Sequence, residues 1–200
     1  MIHNRRLFAA AVAGLALAFA SAASAQPTAD YTAAQAGTYR VDPNHTAVIA
    51  RVPHGGFSYE VFRFGAVAGE LTWDPANAAA NRLNITVQTA SIQTPVDGFA
   101  TELQGQRFLN AQQFPTATFV STAFRRTDAN HGQIDGTLTI KGVAKPVTFE
   151  VEIVGAGQGQ RGGSILGYHA TTNINLADYS LPGFIQGQAQ IVIDGEFQRQ

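Results

Sequence analysis

The sequence predicts an all-β domain: about eight antiparallel strands, closed as a barrel or stacked as a sandwich, with one short helix inserted mid-chain. Three observations carry this. Apolar and polar residues alternate over several stretches, as in Leu83, Ile85 and Val87 against Asn84, Thr86 and Gln88, which is the pattern of a half-buried antiparallel strand. The 20 glycines, with many Thr, Val, Ile and Phe, favour strands and turns over helices. Only one segment, Val96 to Leu109, breaks the period-2 pattern.

Taken in order, Thr38 to Val41 reads as a short strand that ends at Asp42-Pro43-Asn44, a good turn. Ala47 to Val52 is the next strand. Tyr59 to Trp73 reads as one long strand, with Gly65 and Gly69 as bulges or sharp bends of the kind barrel corners need. Leu83 to Gln88 follows. Over Val96 to Leu109, Asp97 is a candidate N-cap, and Phe99 and Leu103 follow at helical spacing. Strand signals resume over Thr116 to Arg126, Gly132 to Lys141, Pro146 to Val154, Ser164 to Asn173 and Gln188 to Gln198. In the last, Ala189, Ile191, Ile193, Gly195 and Phe197 share one face. No internal repeat and no domain boundary is evident.

The chain starts with an address. Arg5-Arg6 precede an apolar run from Leu7 to Ala20, and Ala23 and Ala25 occupy the A-x-A positions before Gln26. Residues 1–25 therefore read as a secretory signal peptide cut after Ala25. Arg5-Arg6-Leu7-Phe8 also fits the core of a twin-arginine signal; the Sec route is favoured, because the Lys that usually follows is missing. Removing the signal takes away two arginines and no acid, so the formal charge moves from −1 to −3. Residues 26–37, rich in Ala, Thr, Gln and Pro, read as a flexible lead, and 38–200 as the folded domain.

Composition excludes several functions. With no cysteine, the chain has no disulfide, thiolate metal site or cysteine nucleophile. A near-neutral charge gives no field for nucleic acid. Gly157-Gln158-Gly159-Gln160-Arg161-Gly162 matches G-x-G-x-x-G by letter, but a strand follows where a dinucleotide site needs a helix. His45 and His54 lie nine residues apart on either side of a strand, an odd offset that turns them to opposite faces, so no metal is expected. No Ser-His-Asp set can be nominated from spacing. The phenylalanines are dense. A barrel of about eight strands either packs such residues as core or lines a cavity with them for one small ligand.

Four stretches then resemble a known family. Val41-Asp42-Pro43-Asn44-His45-Thr46 resembles the D-P-x-H-[ST] opening of the YceI-like proteins, and Val52-Pro53-His54 their following V-x-H. Phe108-Leu109-Asn110 through Phe114-Pro115-Thr116-Ala117-Thr118-Phe119 resembles F-[FL]-[DN]…[YF]-P-x-[AI]-x-F. Gly136 through Val147 resembles G-x-L-T-[IL]-[KR]-G-V-[TA]-[KR]-P-V. The likeness runs in order from about Thr38 to the C-terminus. It implies a lipocalin-like antiparallel barrel, periplasmic in Gram-negative bacteria, that binds a polyisoprenoid lipid inside. The sequence departs from the family at Phe99 to Leu103 and at Asn173 to Tyr179, where basic residues are absent. If those basic groups steady a phosphate, this protein prefers another head group, such as a quinone.

The expectation is a periplasmic carrier of an apolar isoprenoid, polyprenyl phosphate or isoprenoid quinone, with no catalytic residues and no cofactor. Phe62, Phe64, Phe99, Leu103, Phe108 and Phe119 are nominated for the interior. His45, His54, Lys141 and Lys145 are nominated for the head group at the barrel mouth. The expected partners are the lipid, a membrane touched briefly during exchange, and a second copy in a homodimer. Two alternatives stand beside it: a stress-response or interaction module whose barrel is filled, and an enzyme on such a lipid using His45 or His54 as base.

Overall fold

The computed structural model describes residues 26–159, 162–182 and 188–200. The signal-peptide segment 1–25 and part of the 157–162 glycine motif lie outside the described residues. The strands are β1 (Gly37–Val41), β2 (Ala47–His54), β3 (Ser58–Phe64), β4 (Val67–Trp73), β5 (Arg82–Gln88), β6 (Ile92–Gln93), β7 (Thr116–Arg126), β8 (His131–Ile140), β9 (Val143–Gln158), β10 (Ser164–Asn175) and β11 (Gln188–Arg199). One helix, α1 (Phe99–Gln104), lies between β6 and β7. Each strand pairs antiparallel with its neighbours, and β1 also pairs with β11, which closes the sheet into an eight-stranded barrel.

Consecutive short strands share one barrel position. β1 and β2 both pair along the same edge of β11, at Val41↔Phe197 and Ala47↔Asp194. β3 with β4, and β5 with β6, are joined in the same way. The barrel thus has eight staves, and three adjacent ones are bent. The bends lie in register: the Gly65–Ala66 break faces Asp42–Thr46 on one side and Thr89–Ser91 on the other. Gly65 N–H donates to the Ser91 carbonyl across this crease, and Ala66 N–H to Ser91 Oγ.

Two elements differ from expectation. Tyr59 to Trp73 is two strands, broken at Gly65–Ala66. Gly69 stays inside β4, because β5 passes so close that a Cβ there would lie 2.4 Å from the Asn84 carbonyl oxygen. The one short helix is found as expected, over Phe99–Gln104 within the Val96 to Leu109 segment, but its cap differs. Gly98, with φ +77°, stands at its N-cap in place of Asp97, and Gly105 ends it. Residues 106–113 continue as turns, with Asn110 in the left-handed region.

Topology fixes two ends. β1, β5, β8 and β10 begin at the upper end. The β2–β3 and β8–β9 hairpins, α1 and the 176–182 loop lie at the lower end. The lead segment 26–37 is packed against the upper end, contrary to its composition. Thr28 pairs with Ala156, Tyr31 N–H donates to the Ala129 carbonyl, and Ala34 is fully buried. Tyr39 Oη, donating to the Gln35 carbonyl at 2.6 Å, helps to tie this strap down.

Candidate functional site

Period-2 alternation turns Leu83, Ile85, Val87, Ile191, Ile193 and their counterparts on each stave inward. Their side chains do not meet across the axis. They surround a cavity of about 500 Å³ that extends from one end of the barrel to the other. That volume falls in the range of small-molecule sites, about 300–1,000 Å³. A filled barrel, holding no more than a few waters inside, does not fit it.

The lining is polarised along the axis. The lower end is closed by Leu103 of α1 with Phe108, Leu109, Leu176 and Leu181. Every charged side chain in the lining (Asp74, Arg125, Arg126 and His131) sits at the upper end. There Arg126 lies 4.1 Å over the ring of Tyr31 and donates to its hydroxyl at 2.6 Å. Tyr31 in turn meets Trp73 edge-on at 6.1 Å. Arg125 is paired with Asp135 and Gln133. His131 Nδ1 bonds Asp128, whose carboxyl is held below its usual range by the backbone N–H groups of Asn130 and His131 and by this imidazole. The rim's cations are therefore engaged in rim contacts.

Five of the six interior nominees, Phe62, Phe64, Leu103, Phe108 and Phe119, line the cavity. Phe99 stands behind the wall, its ring 6.1 Å from that of Phe62. None of the four head-group nominees lines it. His54 ends β2 at the exposed lower hairpin. Lys141, with φ +51°, and Gly142, with φ +77°, form the two-residue turn between β8 and β9, the geometry of a type I′ hairpin. The Lys141 ammonium donates to the Ser180 carbonyl at 3.1 Å. Lys145 is half-buried opposite Leu138 on β9. These three residues sit at the end opposite the polar rim, because spacing alone does not tell which end of a stave is open.

His45 is at the crease. Its Nδ1 donates to Asp42 Oδ2 at 2.8 Å and lies 3.9 Å from Glu196. The hydrogen bond to Asp42, then the charges of Asp42 and Glu196, raise the imidazole pKa above its usual 6.5. Asp42 is held below 3.8, chiefly by the same bond. Asp42, His45 and Glu196 place one ligand atom each within 4.8 Å of one another, which the His45–His54 spacing did not foretell. Asp42 also accepts from Asn44 N–H and from Gln198 Nε2, so the cluster already fastens the kinked stave to β11.

The YceI-like domain model matches residues 39–197. This chain belongs to the YceI-like family. The YceI protein of Escherichia coli is 35% identical over 150 residues, covering 74% of this chain and 78% of that protein. Among solved structures, BcnA of Burkholderia cenocepacia superposes with a TM-score of 0.68 at 24% identity, covering 78% of this YceI-like chain and 98% of BcnA. A domain from Saccharophagus degradans, described as polyisoprenoid binding and implicated in plant cell wall breakdown, superposes with a TM-score of 0.58 at 12% identity, covering 83% of this chain and all of that one. The barrel is thus a YceI-like barrel.

Proposed function

We propose that this protein is a periplasmic carrier of an isoprenoid lipid, exported through a signal peptide cut after Ala25. One observation carries the reading: an apolar cavity along the barrel with charge at one end only. The tail lies toward Leu103 and Phe108, and the head group toward the rim of Tyr31 and Arg126. The polyisoprenoid-binding description of the Saccharophagus degradans domain supports the ligand class.

Magnitudes fit this division of labour. At the ~30 Å³ that a liquid water occupies, 500 Å³ holds about 17 heavy atoms, or roughly three five-carbon units. At ~0.8 kcal/mol per buried methylene, roughly fifteen carbons contribute about 12 kcal/mol gross. That offsets the ~4–15 kcal/mol lost in association. A longer chain projects past the rim. The lipid is taken from and returned to a membrane at brief contacts.

Native mass spectrometry of the protein recovered from its own periplasm tests the reading. The expected spectrum shows one bound isoprenoid lipid. Protein that arrives empty, and takes up none when offered, refutes it.

A further inference from the structure

One cluster of metal-ligating side chains lines no part of the bore: Asp42, His45 and Glu196, at the joint between β1 and β2. The turn Asp42–Thr46 stands opposite Glu196 of β11, and hydrogen bonds pin it there from both ends. Asp42 N–H donates to the Glu196 carbonyl at 2.8 Å, and Glu196 N–H donates to Thr46 Oγ1 at 3.3 Å. The sheet itself therefore brings the three side chains together. Asn44 N–H donates to Asp42 Oδ1 at 2.9 Å, which leaves Oδ2 facing His45 Nδ1. Gln198 Nε2 steadies the same carboxylate from β11, the kind of outer support that orients metal ligands.

One imidazole nitrogen and two carboxylate oxygens converge here. His45 Nδ1 lies 2.8 Å from Asp42 Oδ2 and 3.9 Å from Glu196 Oε2, and the three ligand atoms lie within 4.8 Å of one another. A tetrahedral zinc ion with bonds of about 2.0–2.2 Å sets its ligand atoms about 3.3–3.6 Å apart. The observed separations straddle that value, so small rotations of the His45 ring and of Glu196 seat the ion. The charges ask for a cation. Among the described residues neither carboxylate pairs with a lysine or an arginine, and the imidazole proton is their shared counter-charge. A divalent ion in place of that proton balances both carboxylates, and Nε2 then carries the ring hydrogen. The Asp42 side chain is only 7% exposed, whereas those of His45 and Glu196 are 63% and 37% exposed. The ion is thus anchored in the wall and reached from outside, with a fourth position open to water. Two other histidine–carboxylate pairs, His131 with Asp128 and His169 with Asp194, bring no third ligand within the same reach among the described residues.

We infer that Asp42, His45 and Glu196 form a site for one divalent transition-metal ion such as zinc, which bridges the β1–β2 turn to β11 and braces the crease from outside. An imidazole nitrogen in the donor set selects such an ion over magnesium or calcium, which take oxygen ligands. The site is separate from the bore, so the inference stands independently of the carrier reading.

The test uses untagged protein stripped with a chelator and titrated with zinc chloride, read by calorimetry and native mass spectrometry, with cobalt chloride as a spectroscopic probe. One ion per chain is expected, with a higher melting temperature on loading and, for cobalt, the intense visible absorption of a four-coordinate ion. Glu196→Gln keeps the shape of the side chain and removes its charge. It should weaken zinc by at least about tenfold, and His45→Ala should weaken it further. His169→Ala should leave zinc affinity within about twofold. Circular dichroism reports whether each variant is folded, and Glu196→Gln carries the test where His45→Ala is not. No saturable uptake at one ion per chain, zinc affinity unchanged in Glu196→Gln, a loss in His169→Ala equal to that in His45→Ala, or displacement of zinc by equimolar magnesium each overturns the inference.

Discussion

Gly136→Ala should destabilise the barrel from within. Gly136 sits on the inner face of β8, between Ser121 of β7 and Val147 of β9. A Cβ there would lie 2.4 Å from Phe119 Cζ and 2.5 Å from the Val120 carbonyl oxygen. The carbonyl belongs to the paired backbone, so either the β7–β8 ladder opens or the ring yields. The ring is held edge-on to Phe149 at 5.0 Å and 78°. Overpacking of this kind costs about 1–3 kcal/mol, and a lost aromatic pair about 0.5–1.5 kcal/mol. The expected loss is about 2–4 kcal/mol, or a melting temperature lower by about 4–16 °C at ~2–4 °C per kcal/mol for a chain of this size. Thermal unfolding followed by circular dichroism measures it. Phe119→Leu in the same chain removes the ring atoms that the methyl would strike. The double variant should then recover at least about 0.5 kcal/mol over the sum of the singles. A melting temperature within about 1 °C of the parent, or strict additivity, would refute the packing argument.

Other outcomes follow from the rim, the crease and the lower hairpins. The raised His45 pKa means that its contribution to stability is full below pH 6.5 and is lost as pH rises through the folded-state value. The lowered Asp42 pKa contributes above pH 3.8 and is lost as pH falls through its folded-state value. Urea midpoints measured across pH should therefore fall on the alkaline side of 6.5 in the parent and flatten there in His45→Gln. Tyr31→Ala removes the edge contact on Trp73 and the stack under Arg126, so the emission of the sole tryptophan should shift to longer wavelength as water reaches it; an unchanged spectrum would count against the strap. Lys145→Gln should leave lipid affinity within about twofold in a binding titration, because Lys145 stands at the end opposite the charged rim and does not line the cavity.

The barrel was legible because its alternation is clean. Leu83, Ile85 and Val87 all point into the bore, as the pattern requires, and so does the Ala189-to-Phe197 face. The bends were harder. Gly65 and Gly69 look alike in one dimension, and only the close passage of β5 separates a crease from a contact. The strap resisted reading because its Ala and Thr residues are ordinary linker composition, and what orders it is a ledge formed by Ala129 and Ala156, about 100 residues away or more. Sequence reasoning drew attention to histidines and lysines as head-group candidates, since charge is visible without coordinates. The charged upper rim of Tyr31, Arg125, Arg126 and His131 escaped notice, because which strand ends gather at one mouth depends on the pairing order.

The crease across the three bent staves divides the barrel wall into two mechanically different halves. From β7 to β11 the strands run 10 to 16 residues without interruption, an arc of stiff panels. The opposite arc is jointed at one height, where Asp42–Thr46, Gly65–Ala66 and Thr89–Ser91 interrupt the ladders. The jointed arc is held by shorter ladders than the stiff one, so amide exchange should run faster around the crease than along β8 and β9.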